Sequence, residues 1–242
     1  MIRTSNKKIE EIFRALGISA GDKIMIHADL RIFGYLENMG EDFLQILEEI
    51  IGPSGSMITP SFTFSFPNTF NINTTVGTTG AIGKLFAKQK NVKRVPDGMT
   101  SYYLIGGDAE KMIQEWGHSS YGENSIPDQL TRNGGKILQL GTDILSLVHY
   151  LEEKISVPYR EIIRFEGRIE DGEKRYDSYT NFYARKTPVR KLIPDPIRSV
   201  FYEKCDTCLI YNSRPCRVFS CKEYIDFSMP RLEADKMILI ER

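Results

Sequence analysis

The chain has 242 residues, of which 41% are hydrophobic and 26% are charged, and its 32 basic side chains balance 32 acidic ones. This balance excludes a strongly basic nucleic-acid-binding protein, and no run of about 18 apolar residues predicts a membrane span. The polar N-terminus lacks the apolar stretch of a signal peptide, so we expect a cytoplasmic protein whose partners are small molecules rather than nucleic acid or membrane.

The first half of the chain alternates helical patterns with short apolar runs. Apolar residues at helical spacing predict helices near residues 9–16 and 41–51, and apolar runs predict strands at 23–27 and 56–60. Between them and the next helix lies a stretch rich in Phe, Thr, Asn and Ser, residues 61–79, which has no periodicity. A long segment of this kind indicates a shaped loop, and such loops are often functional.

The second half continues this alternation and then becomes rich in strands. We predict helices at 81–86, capped by Thr79, and at 108–116 and 146–154, with strands at 102–105 and 136–141. Residues 162–165 and 176–183 predict a hairpin, and three prolines (Pro188, Pro194, Pro196) indicate a connector. The expected fold is an α/β layered sandwich with a central mixed sheet flanked by helices and a strand-rich C-terminal part, in one domain over residues 1–242.

Three histidines are the candidates for a general base, namely His27, His118 and His149. His149 and Glu152 are three residues apart on a predicted helix, a spacing that brings a carboxylate beside an imidazole and raises its basicity. A surface ion pair is the alternative for this motif. His27 ends a predicted strand, where α/β sheets border their ligand crevices, and a hydrogen-bonded structural histidine is the alternative there.

Four cysteines fall in the C-terminal segment 200–242 and follow the pattern C-x2-C-x7-C-x4-C. They are Cys205, Cys208, Cys216 and Cys221. Four soft ligands in a short span are compatible with a structural zinc site, but the second pair lacks the tight C-x2-C spacing. Free cysteines also pack as small hydrophobic residues. We favour unmetallated thiols and assign no metal.

A series of short motifs, in the same order along the chain, resembles the aminoglycoside 3-N-acetyltransferase family between about residues 17 and 160. The motifs are GISAGD at 17–22, HADL at 27–30 where the family usually has HSSL, GPSG at 52–55, TPSFT at 59–63, GAIG at 80–83, YGENSIP at 121–127, GGKILQLG at 134–141, HYLE at 149–152 and PYR at 158–160. Residues 94–101 are similar to a further family pattern, with Asp97 where the family often has histidine. The ordered set is more specific than any single motif.

The resemblance implies direct acetyl transfer from acetyl-CoA to an amine, with His149 as general base and Glu152 as its orienting carboxylate. It also implies cofactor-binding and acceptor-binding residues. The cofactor set is His27, Asp29, Thr59, Ser61, Thr79 and Gly80, and the acceptor set is Asp97, Ser101, Tyr159 and Arg160. Hydroxyls or amides near Thr59, Ser61 or Thr79 are candidates to stabilise the thioester oxyanion. Arginine presents a bidentate fork to phosphate oxygens, which makes candidates for phosphate contacts of Arg160, Arg164, Arg185, Arg190 and Lys191. Solvated surface charge is the alternative for most of them.

The identity of the acceptor follows from departures within the resemblance. The stretch between residues 141 and 149 is about two residues shorter than in the aminoglycoside enzymes. Residues 159–167 and the short C-terminal part look like small relatives of surface-sugar biosynthesis, and the balanced charge offers no acidic surplus for a polycationic drug. We therefore expect an amino sugar, nucleotide-linked, as acceptor. The alternatives are an aminoglycoside resistance enzyme and a non-catalytic binding protein on the same scaffold; a homo-oligomer stays open.

Overall fold

The computed structural model describes residues 3–40, 42–186, 195–205 and 207–240. Its strands, in chain order, are β1 (Arg3–Thr4), β2 (Lys23–Ala28), β3 (Tyr35–Leu36), β4 (Ser56–Pro60), β5 (Phe70–Asn71), β6 (Lys93–Arg94), β7 (Tyr102–Gly106), β8 (Lys136–Leu140), β9 (Arg160–Asp171), β10 (Lys174–Arg185), β11 (Cys208–Tyr211) and β12 (Arg214–Ser220). Its α-helices are α1 (Asn6–Ala15), α2 (Asp42–Ile51), α3 (Ala81–Ala87), α4 (Ala109–Gln114), α5 (Ile126–Arg132), α6 (Leu147–Lys154), α7 (Pro196–Glu203) and α8 (Cys221–Ala234).

A seven-stranded mixed sheet forms the centre of the molecule, in the order β11-β12-β8-β2-β4-β7-β6. The three middle strands run parallel and their outer neighbours run antiparallel. Successive strand residues point to opposite faces, so Met25 and Ile137 enter one core while Ile24 and Leu138 enter the other. The predicted layered α/β fold is confirmed.

Helices cover both faces of this sheet because each presents an apolar stripe. The stripes of α1 and α2 meet through Phe13 and Phe43, whose ring centroids lie 5.4 Å apart, and α3 joins the same core through Ile82. The helices α4 to α8 pack on the opposite face. No helix among the described residues is long and apolar enough to cross a membrane.

The predicted hairpin is longer than its apolar residues suggested. Strands β9 and β10 pair in register from Arg160 with Arg185 to Asp171 with Lys174, and β5 adds to β9 in parallel, which makes a separate three-stranded sheet. Exposed charged residues interrupt the apolar pattern along both strands, so alternation alone underestimates their length.

Several local predictions differ from the structure. Helix α3 has Gly80 at its N-cap, and Thr79 donates its hydroxyl to the Pro60 carbonyl instead of capping the helix. Helix α5 was not predicted, although Ser125 caps it by accepting from the Asp128 amide. The C-terminal part holds α7 and α8 besides its strands, and α8 begins with a Ser220 capping box.

Candidate active site

Helix α6 packs on one face of the central sheet and brings His149 and Glu152 together. His149 Nδ1 lies 2.6 Å from Glu152 Oε2, as the spacing of three residues predicts. The side chain of Glu152 is only 2% exposed, whereas that of His149 is 27% exposed. The carboxylate is therefore shielded, whereas part of the imidazole remains accessible.

Two residues that follow α6 fix the position of Glu152. Tyr159 donates its hydroxyl to Oε1 at 2.8 Å, and Arg160 Nε lies 2.9 Å from Oε2, at ion-pair distance without hydrogen-bond alignment. Arg160 also donates to the Tyr183 carbonyl at 3.0 Å. Burial opposes ionisation of Glu152, but its hydrogen bond with His149 and the charge of Arg160 hold the pKa of this carboxyl below its usual range.

This arrangement selects one tautomer of His149. Nδ1 faces the Glu152 carboxylate, so the hydrogen-bond network assigns the proton of the neutral ring to Nδ1 and the lone pair to Nε2. Arg160 Nη2 lies 3.2 Å from the same Nδ1, but both nitrogens carry protons in this tautomer, so this contact is not a hydrogen bond. A histidine held in this way can accept a proton at Nε2.

A cavity of about 760 Å³ lies where the parallel strands β2 and β4 end. Ser146, the residue before α6, lines this cavity, whereas His149 and Glu152 do not. Five of the six predicted cofactor residues line it, namely His27, Asp29, Thr59, Thr79 and Gly80. Ser61 does not: it is buried, and its hydroxyl accepts from Arg94 Nη2 at 3.1 Å. The hydroxyls of Thr59 and Thr79 donate to the Ile26 and Pro60 carbonyls, which commits their protons within the protein.

His27 connects the cavity to the helix that carries the dyad. Its Nε2 lies 3.3 Å from Ser146 Oγ, and Ser146 is the residue before α6. Burial lowers the pKa of His27 to about 4, so the ring is neutral at pH 7. Both residues line the cavity.

The rim of the cavity carries a cation that the sequence analysis missed. Arg31 lines the cavity, its side chain is 86% exposed, and Asp29 holds it through Nε and Nη2 at 2.8 and 2.6 Å. Asp29 also accepts from Arg214, and the hydrogen bond from Arg31 is the first cause that holds the pKa of Asp29 well below its usual range. In the sequence, Arg31 could have been identified from its position directly after the HADL motif.

Of the basic residues predicted to meet phosphates, the three that the structure describes do not line this cavity. Arg160 is buried against Glu152, and Arg164 covers the Tyr179 ring while pairing with Glu166. Arg185 ends β10 opposite Arg160. Arg190 and Lys191 lie outside the described residues.

The two predicted acceptor residues of the 94–101 segment hold the loop together. Asp97 is buried and accepts from the Met99 amide and from the hydroxyls of Thr100 and Thr180, each at 2.8 Å. Burial raises the pKa of this carboxyl. Ser101 is also buried and donates to the Val95 carbonyl. Contact of either residue with an acceptor stays a prediction.

The four cysteines do not converge. Cys216 packs in the core on one face of the sheet and Cys221 in the core on the other, while Cys208 is exposed on β11. Burial raises the pKa of Cys216 to about 11 and that of Cys221 to about 12, so both are protonated thiols at neutral pH. Among the residues that the structure describes, no group of three or more potential ligands is placed to hold a metal.

Glu153 is a further carboxylate beside the dyad, and the sequence analysis did not identify it. Its Oε2 is buried without a hydrogen-bond partner among the described residues. A Cβ at Gly122 would come within 2.3 Å of its Oε1, so the absence of a side chain there makes room for the carboxylate. Burial raises the pKa of Glu153 to about 7.

We expect Glu153→Gln to stabilise the protein at pH 8 and to have little effect at pH 4.5. The folded-state pKa of Glu153 lies above its unfolded value, so folding favours the protonated carboxyl. The stability that this carboxyl contributes is therefore fully present below pH 4.5 and is lost as the pH rises through about 7. Because the group is partly solvated, the gain at pH 8 is about 1 kcal/mol. Thermal unfolding of the wild type and Glu153→Gln between pH 4.5 and pH 8 measures this gain, and Glu123→Gln is the exposed control. An equal shift in unfolding temperature at both pH values would contradict the prediction.

The sequence of this chain matches a known protein family and several known proteins. The family model described as aminoglycoside 3-N-acetyltransferase matches residues 25–233. Aminoglycoside N(3)-acetyltransferase III from Salmonella sp is 26% identical over 186 residues, which cover 67% of this chain and 65% of that relative. The chain thus spans just under two thirds of the length of this relative. The SPbeta prophage-derived aminoglycoside N(3')-acetyltransferase-like protein YokD from Bacillus subtilis (strain 168) is 22% identical, with 93% and 90% of the two chains covered.

Solved structures share the fold over nearly the whole chain. Aminoglycoside acetyltransferase AAC(3)-Xa superposes with a TM-score of 0.83 at 17% identity, covering 98% of this chain and 94% of its own. AAC-IIIb, solved as a binary complex with CoASH, superposes with a TM-score of 0.80 at 19% identity, covering 96% and 97%. At these identities the likeness concerns the fold.

Proposed function

This chain belongs to the aminoglycoside 3-N-acetyltransferase family, and we propose that it transfers an acetyl group from acetyl-CoA to an amino group of an amino sugar. The observation that carries the proposal is the His149–Glu152 dyad: its carboxylate is buried, its imidazole is partly exposed, and Ser146, the residue before the helix, lines the cavity. The surface-ion-pair alternative does not explain why Glu152 is buried and held by Tyr159 and Arg160.

In the proposed reaction the dyad moves one proton. The amine nitrogen attacks the thioester carbonyl carbon, an N–C bond forms and the C–S bond breaks. His149 Nε2 accepts the proton of the amine and returns it to the departing sulfur. Glu152 stabilises the imidazolium that exists between these two steps, because its carboxylate contacts Nδ1.

The cavity suits the acyl donor. It is a concave space between β2, β4 and the start of α3, with an apolar wall that includes Ile26, Phe62 and Ile144, and with Arg31 exposed at its rim. An apolar channel fits a pantetheine arm, and a guanidinium fits a phosphate oxygen. The solved complex of AAC-IIIb with CoASH supports this assignment by similarity of fold.

We expect Ala81→Trp to abolish the thermal stabilisation that coenzyme A gives the protein. Ala81 begins α3 and lines the cavity, so an indole at this position fills the space that the donor needs. Ala87→Trp is the matched control, because Ala87 is exposed at the other end of the same helix. A ligand-induced shift in the Ala81 variant equal to that of the wild type would contradict the assignment.

For the acceptor, the relatives support an aminoglycoside more strongly than a nucleotide-linked amino sugar. None of the named relatives supports the surface-sugar type that the short C-terminal part suggested.

Thiol release from acetyl-CoA tests the acceptor class. We would compare an aminoglycoside, a nucleotide-linked amino sugar and the corresponding sugar without its amine. Release that requires an amine and is faster with the aminoglycoside supports the proposal. Faster release with the nucleotide-linked sugar would restore the biosynthetic alternative, and no release with any acceptor would contradict the transferase.

A further inference from the structure

Phe64 is an aromatic residue in an unusual position. Half of its surface is exposed, and its backbone has a φ of 50°, in the left-handed region that bulky side chains rarely adopt. An exposed Phe gains little from folding, and this backbone conformation costs free energy. The surrounding structure must therefore impose it.

Backbone hydrogen bonds impose the conformation. The amides of Thr63 and Phe64 both donate to the Met99 carbonyl, at 3.0 and 3.1 Å, and the Ser65 amide donates to the Gly98 carbonyl at 2.6 Å. The hydroxyl of Thr63 also donates to Gly98 at 3.1 Å. These four bonds tie the segment to a neighbouring loop, so the Phe64 ring is presented in a fixed orientation.

A row of aromatic rings links Phe64 to both halves of the candidate active site. On one side its ring contacts Phe62, which lines the cavity, at a centroid distance of 6.2 Å. On the other side it contacts Phe182 at 5.9 Å, Phe182 contacts Tyr121 at 6.2 Å, and Tyr121 contacts the His149 ring at 5.0 Å. One ring contact therefore connects Phe64 to the wall of the cavity, and three successive contacts connect it to the His149 ring.

We propose that Phe64, backed by Phe182, forms an aromatic platform against which the ring of the acceptor lies. This inference rests on the proposed function, because it assigns a subsite to the amino-sugar acceptor. The ligand class is a saturated sugar ring with ammonium substituents: its C–H face packs on the aromatic surface, and its positive charge is attracted to the negative ring face. The platform orients the sugar so that its reacting amine meets His149 Nε2.

Substitution of Phe64 tests the platform without endangering the fold, since the side chain is half exposed. We expect Phe64→Ala to weaken the binding of an amino sugar, measured by calorimetry with coenzyme A present, by about tenfold. The same variant should raise the KM for the amino sugar by a similar factor and leave the KM for acetyl-CoA unchanged. Phe64→Trp should restore binding, because it restores an aromatic face.

Tyr35→Ala is the matched control, since Tyr35 has the same exposure on a strand that does not line the cavity. Unchanged amino-sugar binding in Phe64→Ala, or no amino-sugar binding by the wild type, would overturn the platform. An equal rise in the KM for acetyl-CoA would also overturn it, because Phe64 would then serve the donor. If the wild type releases no thiol but Phe64→Ala still weakens its binding of the amino sugar, the platform is supported and the proposed transferase activity is contradicted.

Discussion

Replacing His149 by alanine is expected to lower kcat for thiol release by about 100- to 10,000-fold, the range that a positioned general base contributes. Of the two dyad side chains only the imidazole is appreciably exposed, and without it no side chain at this position takes the proton of the attacking amine. Steady-state kinetics with saturating acetyl-CoA measure the loss, together with the unfolding temperature, which should stay close to that of the wild type.

His118→Ala is the matched control for this experiment. His118 stacks on Tyr179 at a centroid distance of 4.6 Å, and its Nδ1 lies 3.0 Å from the Tyr179 carbonyl. Its removal should leave kcat within about twofold, because it belongs neither to the dyad nor to the cavity. If the His149→Ala variant retained wild-type turnover, His149 would not be the general base, and the alternative of a non-catalytic binding protein would be favoured.

Replacing Glu152 by alanine is expected to give the largest loss of stability, about 3–5 kcal/mol of unfolding free energy. Arg160 has a side chain that is only 5% exposed, and its carboxylate partner would be gone, so its charge would be buried and unpaired. Glu152→Gln should cost less, since an amide keeps the shape and still accepts from Tyr159. Urea unfolding of the three proteins at pH 7 measures the differences.

The exposed ion pair between Arg164 and Glu166 provides the control for this stability prediction. Its atoms are 2.8 Å apart, but the side chain of Glu166 is 69% exposed, so Glu166→Ala should change the free energy of unfolding by less than about 0.5 kcal/mol. Equal losses for both alanine variants would mean that burial of the Glu152 pair has no energetic consequence.

The contribution of Glu152 also has a defined pH dependence. Its folded-state pKa is depressed, so the stability it contributes is present above the usual carboxyl value of 4.5 and is lost as the pH falls below it. The difference between wild type and Glu152→Gln should therefore shrink on acidification.

The sequence predicts the central elements of the candidate site because they are local. The helical spacing of His149 and Glu152 fixes their contact within one turn, and the ends of the apolar strands β2 and β4 locate the cavity. Strand order was not predicted beyond a mixed sheet, since pairing joins segments far apart in the chain, as β12 joins β8.

Other parts of the site depend on contacts that no local pattern reveals. Arg94 is buried without a carboxylate partner among the described residues. It donates to the hydroxyls of Ser61 and Ser101 and to three carbonyls, which places both serines in loop packing. The sequence offered these serines only through the family resemblance. The sequence likewise does not single out Glu153, because its contact with Gly122 joins two segments that are distant in the chain.

The central claim is tested most directly by the mass of an amino sugar after incubation with the protein and deuterated acetyl-CoA. We expect the wild type to form a product that carries one deuterated acetyl group on an amine, and we expect His149→Ala not to form it. An unmodified amino sugar in the wild-type reaction, under conditions where coenzyme A still stabilises the protein, would contradict it.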